Sequence, residues 1–431
     1  MDRKNTVDFL KRHGMYSHVK DLPQLTEDMR KDMERGLAGE DSSMAMIPTY
    51  IKGEGAVAEG ESVIVIDAGG TNYRRALAVI ENGVCHLSHV EKCIMPGVEN
   101  AVSWDEFISF VVDSIAEGVF PLINLSDNIA FCFSYTADIT PELDGRVISM
   151  DKEVEISGAV GQLVAASLTK ELEHRGIHNK KIIILNDTVA ALLGASCFID
   201  KQNYSGIIGQ ICGTGTNTCC LLPYSRIGKL SRNDQTEIFI NLESGLYKGI
   251  SFGDYDIALD CKSQTSGDLI MEKLIAGAYI GPLAKLMLKG AADEKLLSYS
   301  AAARISALGK IDASYVDDWA CGERMELVCD NSEDAELIST ICQAIFKRAA
   351  ICTCANLTAI MELLDIGKDA SKPVCICGEG SLIERSKQFM PLLTALMDGY
   401  SAEIRGRHAK IIIGRNTTQV GSAIAALLNR E

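Results

Sequence analysis

The residues with the clearest chemical use lie in two glycine turns. The first is Asp67-Ala-Gly-Gly-Thr-Asn-Tyr-Arg74. Gly69 and Gly70 let the backbone turn sharply and leave room for a bulky anion beside the amides. Thr71 and Asn72 add polar groups, and Arg74 adds positive charge. Asp67 ends a short apolar run and could hold Mg²⁺ through water, because that ion keeps much of its hydration shell. The second turn is Gly213-Thr-Gly-Thr-Asn217. Either turn alone reads equally as an ordinary hairpin tip. Two of them in one chain point to two similar halves facing one nucleotide.

Acid–base chemistry has a candidate in Asp187, directly after the apolar run Lys181–Leu185 and Asn186. A carboxylate at a strand end could take the proton of an attacking hydroxyl, as phosphoryl transfer requires. The competing reading makes Asp187 the N-cap of the helix that follows. Asp138 and Gly378 also stand at strand ends, where open α/β sheets bind ligands. Glu243 and Glu272 can accept from pairs of sugar hydroxyls, although a helical Glu such as Glu272 is by default a surface residue. Lys152 could neutralise phosphate, or simply be solvated.

The elements that must position these groups follow from periodicity. Val63–Ile66 and Ala76–Ile80 flank the first turn as strands, and Glu81-Asn82-Gly83 turns the chain into a third strand. Helices are expected over 104–118, 160–172 and 189–198, with strands over 128–133 and 181–185 between them. Phe107, Ile108, Val111, Val112 and Ile115 share one face of the first of these helices. Three antiparallel strands followed by alternating helix and strand describe one α/β half. The order repeats after residue 205, with long helices over 267–289 and 334–364 and a small-residue helix over 420–429. Residues 1–60 read as helical, then as a loop over 42–50.

Composition narrows the class. The chain has 431 residues and a net charge of −16, which disfavours a nucleic-acid surface. No uninterrupted apolar run approaches the roughly 18 residues of a membrane span. The N-terminus is polar, without a signal-peptide core. The 15 cysteines lie mostly in apolar runs and are expected to be reduced, buried thiols of a cytoplasmic protein. Neither the Cys-x-Cys pairs nor His86 and His89 complete a metal set.

Taken in order, the motifs resemble those of the hexokinases, within the larger actin-like ATPase fold, from about residue 60 to the end. Asp67–Arg74 is similar to the family's first phosphate loop and Gly213–Asn217 to its second. Phe131–Asp138, with Asp144-Gly145 and Asp151-Lys152, resembles the sugar segment, and Leu185–Leu192 the base segment. Ile240–Gly245 and Met271–Gly281 resemble the two Glu-bearing segments, and Gly378-Glu-Gly-Ser381 the adenosine loop.

The resemblance implies a two-lobed α/β fold of actin-like (ribonuclease H-like) type, with duplicated βββαβαβ halves around an interlobe cleft. A helical segment 1–60 would pack on the large lobe. The small lobe would span 61–187, completed by a helix at 417–431, and the large lobe 188–416. ATP and Mg²⁺ would be the cofactors and a hexose, glucose first, the acceptor. Asp187 would be the base for the sugar 6-hydroxyl. Asp138, Lys152, Asn186, Asn217, Glu243 and Glu272 would bind sugar. Gly69, Gly70, Thr71, Asn72, Arg74, Gly213, Thr214 and Gly215 would surround the phosphates, with Asp67 on the Mg²⁺ side. Gly378 and Ser381 would flank adenosine. The chain departs from the family pattern at Asp138 (usually Ser), Asp151 (usually Thr), Glu379 (usually Asp) and Arg415-Asn-Thr-Thr418. Asp138 would add a second negative charge to the sugar pocket. A different sugar, or a sensor that binds without catalysis, is the alternative.

Overall fold

The computed structural model describes residues 3–16, 21–53, 58–82, 84–117, 120–150, 154–414 and 417–429. Gly83, Asp151, Lys152, Arg415 and Asn416 lie outside the described residues.

Two mixed sheets form the framework. In the first, the strand order is Lys181–Leu185, Asn128–Phe133, Ser62–Ala68, Asn72–Glu81, Val84–Ile94. Ser62–Ala68 is parallel to Asn128–Phe133 and antiparallel to Asn72–Glu81. In the second, Ala409–Ile413, Val374–Glu379, Gly206–Cys212, Thr216–Pro223 and Glu237–Asn241 repeat the same order and directions. The duplicated βββαβαβ plan is therefore present in both halves. A sixth strand, Ile47–Lys52, pairs antiparallel with Glu237–Asn241 at the edge of the second sheet. That corrects the loop expected over 42–50. Helices Arg3–Arg12 and Leu22–Ala38 precede it and bury Phe9, Met29 and Met33 in the core of the second half.

Local sequence explains the elements that matter for the site. Helix Trp104–Ala116 starts at a capping box: the Glu106 amide donates to Ser103 Oγ, and the Ser103 amide donates to Glu106 Oε2. The expected apolar face is buried, each side chain being worth about 1.5–3 kcal/mol. It covers the sheet strand that carries Phe131 and Phe133. The turn at Asp144 serves a neighbour. Its carboxylate accepts from the amides of Ala165 (2.6 Å) and Ala166 (3.0 Å), capping helix Val164–His174 from a distance.

The second half departs from expectation in one helix and bears out the long one expected over 334–364. The helix expected over 267–289 is two, Ile270–Ile275 and Gly277–Asp293, broken at the extended Ala276. Helix Ser332–Leu364 has a mean hydropathy of 1.3 over its most apolar 18-residue window, enough by length and composition to cross a membrane. Yet 72% of that window is buried inside the protein, against helices Leu22–Ala38, Phe389–Leu396 and Ala313–Ala320. It is the core helix of this half.

The two halves meet at a helix crossing. Helix Thr417–Leu428 packs on helix Asp187–Ser196 and also touches strands Asn128–Phe133 and Ser62–Ala68 of the first sheet. A Cβ at Gly421 would fall 1.8 Å from the Ala190 oxygen, and one at Gly194 would fall 2.0 Å from the Thr417 oxygen. Only glycine permits so close an approach.

Candidate active site between the two halves

Both glycine turns line one cavity of about 290 Å³ between the sheets. From the first turn come Asp67, Gly69, Gly70, Thr71, Asn72 and Arg74, and from the second Gly213, Thr214, Gly215, Thr216 and Asn217. The first is a tight hairpin: the Gly69 amide donates to Asn72 O (3.0 Å), and Asp67 pairs in register with Arg74. Arg74 Nη1 lies 3.4 Å from Asp67 Oδ2. In the second, Gly213 N donates to Gly215 O (2.9 Å), and the amides opening helix Gly277–Asp293 donate to Gly213 O and Thr214 O. Gly380, with φ +115°, touches this turn so closely that a Cβ would lie 2.5 Å from Cys212 O.

Asp187 lines the same cavity. The capping residue of its helix is Asn186, whose Oδ1 accepts from the Thr188 amide at 2.8 Å. Asp187 is therefore the first helical residue, and its carboxylate is not consumed as the cap. It accepts from Thr188 Oγ1 at 3.2 Å. One residue further, Thr188 O accepts from the buried thiol of Cys219 at 3.1 Å.

Asn186, Asn217, Glu243 and Glu272 also line the cavity. Glu272 is buried, and its Oε2 accepts from the Thr216 amide at 3.0 Å, unlike the surface Glu of the default reading. Its short helix is pinned by the neighbouring Lys273, which donates to Asp260, Thr265 O and Asp268 O. Leu269, which starts that helix, and Glu243 both adopt left-handed backbone, at φ 53° and 54°. Such strain in a non-glycine residue costs roughly 1–2 kcal/mol and is tolerated where the surroundings fix it.

Two expected residues are not brought to this cavity. Asp138 is exposed on the short strand Ala137–Ile139, opposite Arg146. Strand alternation turns it away, because Ala137 and Ile139 take the buried face. The charge that Asp138 was expected to add thus lies outside the pocket, and Ser134 and Thr136 line the wall instead. Their signal was position: Ser134 directly follows the buried strand that ends at Phe133. Gly378 lies inside strand Val374–Glu379, where a Cβ would meet Ile383 at 3.0 Å. The residues that follow it, Glu379, Gly380 and Ser381, do reach the cavity. Lys152 is outside the described residues.

Glu379 is a further lining carboxylate. Burial pushes its pKa up; Thr417 and Thr418 hydroxyls donating to Oε2 offset part of this, while Glu384 and Asp187 add to the rise. Among the described lining residues are five carboxylates (Asp67, Asp187, Glu243, Glu272, Glu379) and one cationic side chain, Arg74. A second cavity, about 530 Å³, shares Thr71, Gly213, Thr214, Glu272 and Ser381 with the first. It extends between helices Gly277–Asp293 and Ala313–Ala320 toward Arg385 and Lys387. No motif marks most of its lining. All 15 cysteines are free, and no metal-ligand cluster occurs among the described residues.

Comparison with known proteins now decides the family. Two family models, each described as hexokinase, match residues 11–197, which hold the first sheet, and 207–428, which hold most of the second. The chain belongs to the hexokinase family. It is a phosphotransferase of that family, with the two-lobed actin-like fold. Rice (Oryza sativa subsp. japonica) Hexokinase-2 is 26% identical over 443 residues, covering 95% of this chain and 88% of the relative. The hexokinase of Schistosoma mansoni, solved with glucose, superposes with a TM-score of 0.81 at 21% identity over 98% of both chains. A ROK-family glucokinase from Streptomyces griseus, solved with glucose and AMPPNP, gives a TM-score of 0.53 at 17% identity. That match covers 86% of this chain and 100% of the other.

Proposed function

We propose that this hexokinase-family chain transfers the γ-phosphoryl group of ATP to the 6-hydroxyl of a hexose, with glucose the first candidate. One observation carries the reading: Asp187 shares a single cavity with both glycine turns and with Asn186, Asn217, Glu243 and Glu272. Asp187 acts as general base, taking the hydroxyl proton as the sugar oxygen attacks phosphorus. The two amides and two carboxylates supply the mixed donors and acceptors that a polyol needs. The phosphates lie along the backbone amides of both turns, and adenosine takes the adjoining cavity beside Ser381.

Five carboxylates facing one arginine would repel a bare polyphosphate. The site therefore suits Mg²⁺ bound to ATP, with Asp67 holding it through water. The ion would supply the positive charge that the described side chains lack. The relatives solved with glucose, and with glucose and AMPPNP, support the choice of substrates. Asp138, which with Asp151 motivates the reading as a non-catalytic sensor, faces solvent outside the cavity.

The test is ADP release with ATP, Mg²⁺ and a panel of hexoses and amino sugars. Turnover with at least one hexose is expected. No ADP above background with any member of the panel would overturn the proposal.

A further inference from the structure

Behind the sugar-facing residues stands a buried amide that the motifs do not assign. Asn241 ends strand Glu237–Asn241 and is 3% exposed. Its Oδ1 accepts from Asn217 Nδ2 at 2.7 Å, and its Nδ2 donates to Glu243 Oε1 at 2.6 Å. It does not line the cavity itself.

The chemistry of the neighbours allows only this orientation. Asn217 Oδ1 accepts from two backbone amides, Thr218 N at 2.7 Å and Ser244 N at 3.2 Å. An amide nitrogen could not stand there, so Asn217 must present its NH₂ to Asn241. Asn241 must answer with its carbonyl. Its own NH₂ then donates to a carboxylate oxygen, Glu243 Oε1. Glu243 also holds a left-handed backbone that strand geometry does not fix.

We infer that Asn241 is a positioning residue for sugar binding: it fixes Asn217 and Glu243 as one donor–acceptor pair by bonding to both. The inference rests on the sugar-binding role of Asn217 and Glu243 proposed above. It predicts a polarity requirement that a merely space-filling residue would not have. Asn241→Asp keeps the acceptor for Asn217 but sets a carboxylate against Glu243. Two carboxylates in hydrogen-bond contact share a proton as pH falls, and a protonated Asp again donates to Glu243. Of the other titratable neighbours, Glu272 accepts from the Thr216 amide, and Asp187 opens the helix that packs against this strand. Cys219, opposite Asn241 across the strand pair, stays neutral because burial pushes its thiol far up.

The experiment is calorimetric titration of wild type, N241D and N241A with glucose, then with the other hexoses of the panel, at pH 8 and pH 5.5. Thermal unfolding is run alongside, and the KM for ATP is measured at pH 8. Expected for N241D is a loss of hexose affinity of about tenfold or more at pH 8. Relative to wild type at the same pH, most of that loss should recover at pH 5.5. N241A should lose affinity equally at both pH values, with the KM for ATP unchanged. Wild-type affinity in N241D at pH 8, or an equal loss at both pH values, overturns the role. If N241D does not fold, N241A decides: a loss confined to the sugar supports the inference, and a parallel loss for ATP overturns it. A wild-type protein that binds no hexose removes the proposed function and this inference together. Normal wild-type binding beside an indifferent N241D removes the inference alone.

Discussion

Gly421→Ala tests how packing far from the reacting atoms sets the position of the base. Gly421 lies at the crossing of helices Thr417–Leu428 and Asp187–Ser196, where a Cβ would stand 1.8 Å from Ala190 O and 2.6 Å from Gly194 N. Real Cβ atoms do not approach backbone closer than 3.0 Å, so the helices must part by more than about 1 Å. Asp187 is the first residue of the displaced helix, which moves as a unit because every residue from Thr188 to Ala195 is buried. A misplacement of about 1 Å at a reacting group costs on the order of 10²-fold in rate. Overpacking of this kind also costs about 1–3 kcal/mol of stability, which lowers Tm by a few degrees. The assay is kcat and KM with the preferred hexose, with calorimetric Tm in parallel. Gly309→Ala, where an added Cβ meets nothing within 4 Å, is the control and should behave as wild type. Full turnover with an unchanged Tm in Gly421→Ala would refute the claim that this crossing positions Asp187.

Two further predictions concern stability. Arg348, on the long core helix, is ion-paired with Asp256, and both are buried; Arg348→Met leaves an uncompensated carboxylate and should cost about 3–5 kcal/mol, read as a large fall in Tm, whereas a fall under about 1 °C would contradict it. His13 bridges helix Arg3–Arg12 to Asp254 and Glu294. Burial lowers its pKa, but the hydrogen bonds and charges of Glu294 and Asp254 outweigh that and raise it above 6.5. A raised histidine stabilises fully below its unfolded pKa and loses that contribution as pH rises through the folded one. The Tm difference between wild type and His13→Gln should therefore be largest below about pH 6.5 and shrink as the solution becomes alkaline; a difference that grows with pH would reverse the sign of the argument.

Sequence reasoning reached the parts of this site that backbone chemistry dictates. Glycine pairs between β-branched runs announce tight hairpins, and Asp187 after Lys181–Leu185 announces a strand end. It erred where side-chain direction decides. Asp138 and Thr136 are two residues apart on one segment, yet only Thr136 reaches the cavity, because the chain bends into a short strand between them. The strand Ile47–Lys52 was missed because pairing with Glu237–Asn241, far away in sequence, creates it. Asn241 carries no signal in the sequence; its burial and its two partners, Asn217 and Glu243, are features of the fold. The second cavity is assembled from helices whose sequences carry ordinary core and surface residues, so no local pattern could mark it.

The most direct test of the account pairs two readings on one variant, Asp187→Ala. Hexose binding by calorimetry should stay close to wild type, because Asn186, Asn217, Glu243 and Glu272 remain. Turnover should fall by about 10²–10⁴-fold, the usual contribution of a positioned base. Turnover equal to wild type in a variant that still binds the sugar would contradict the assignment of Asp187 and the account built on it.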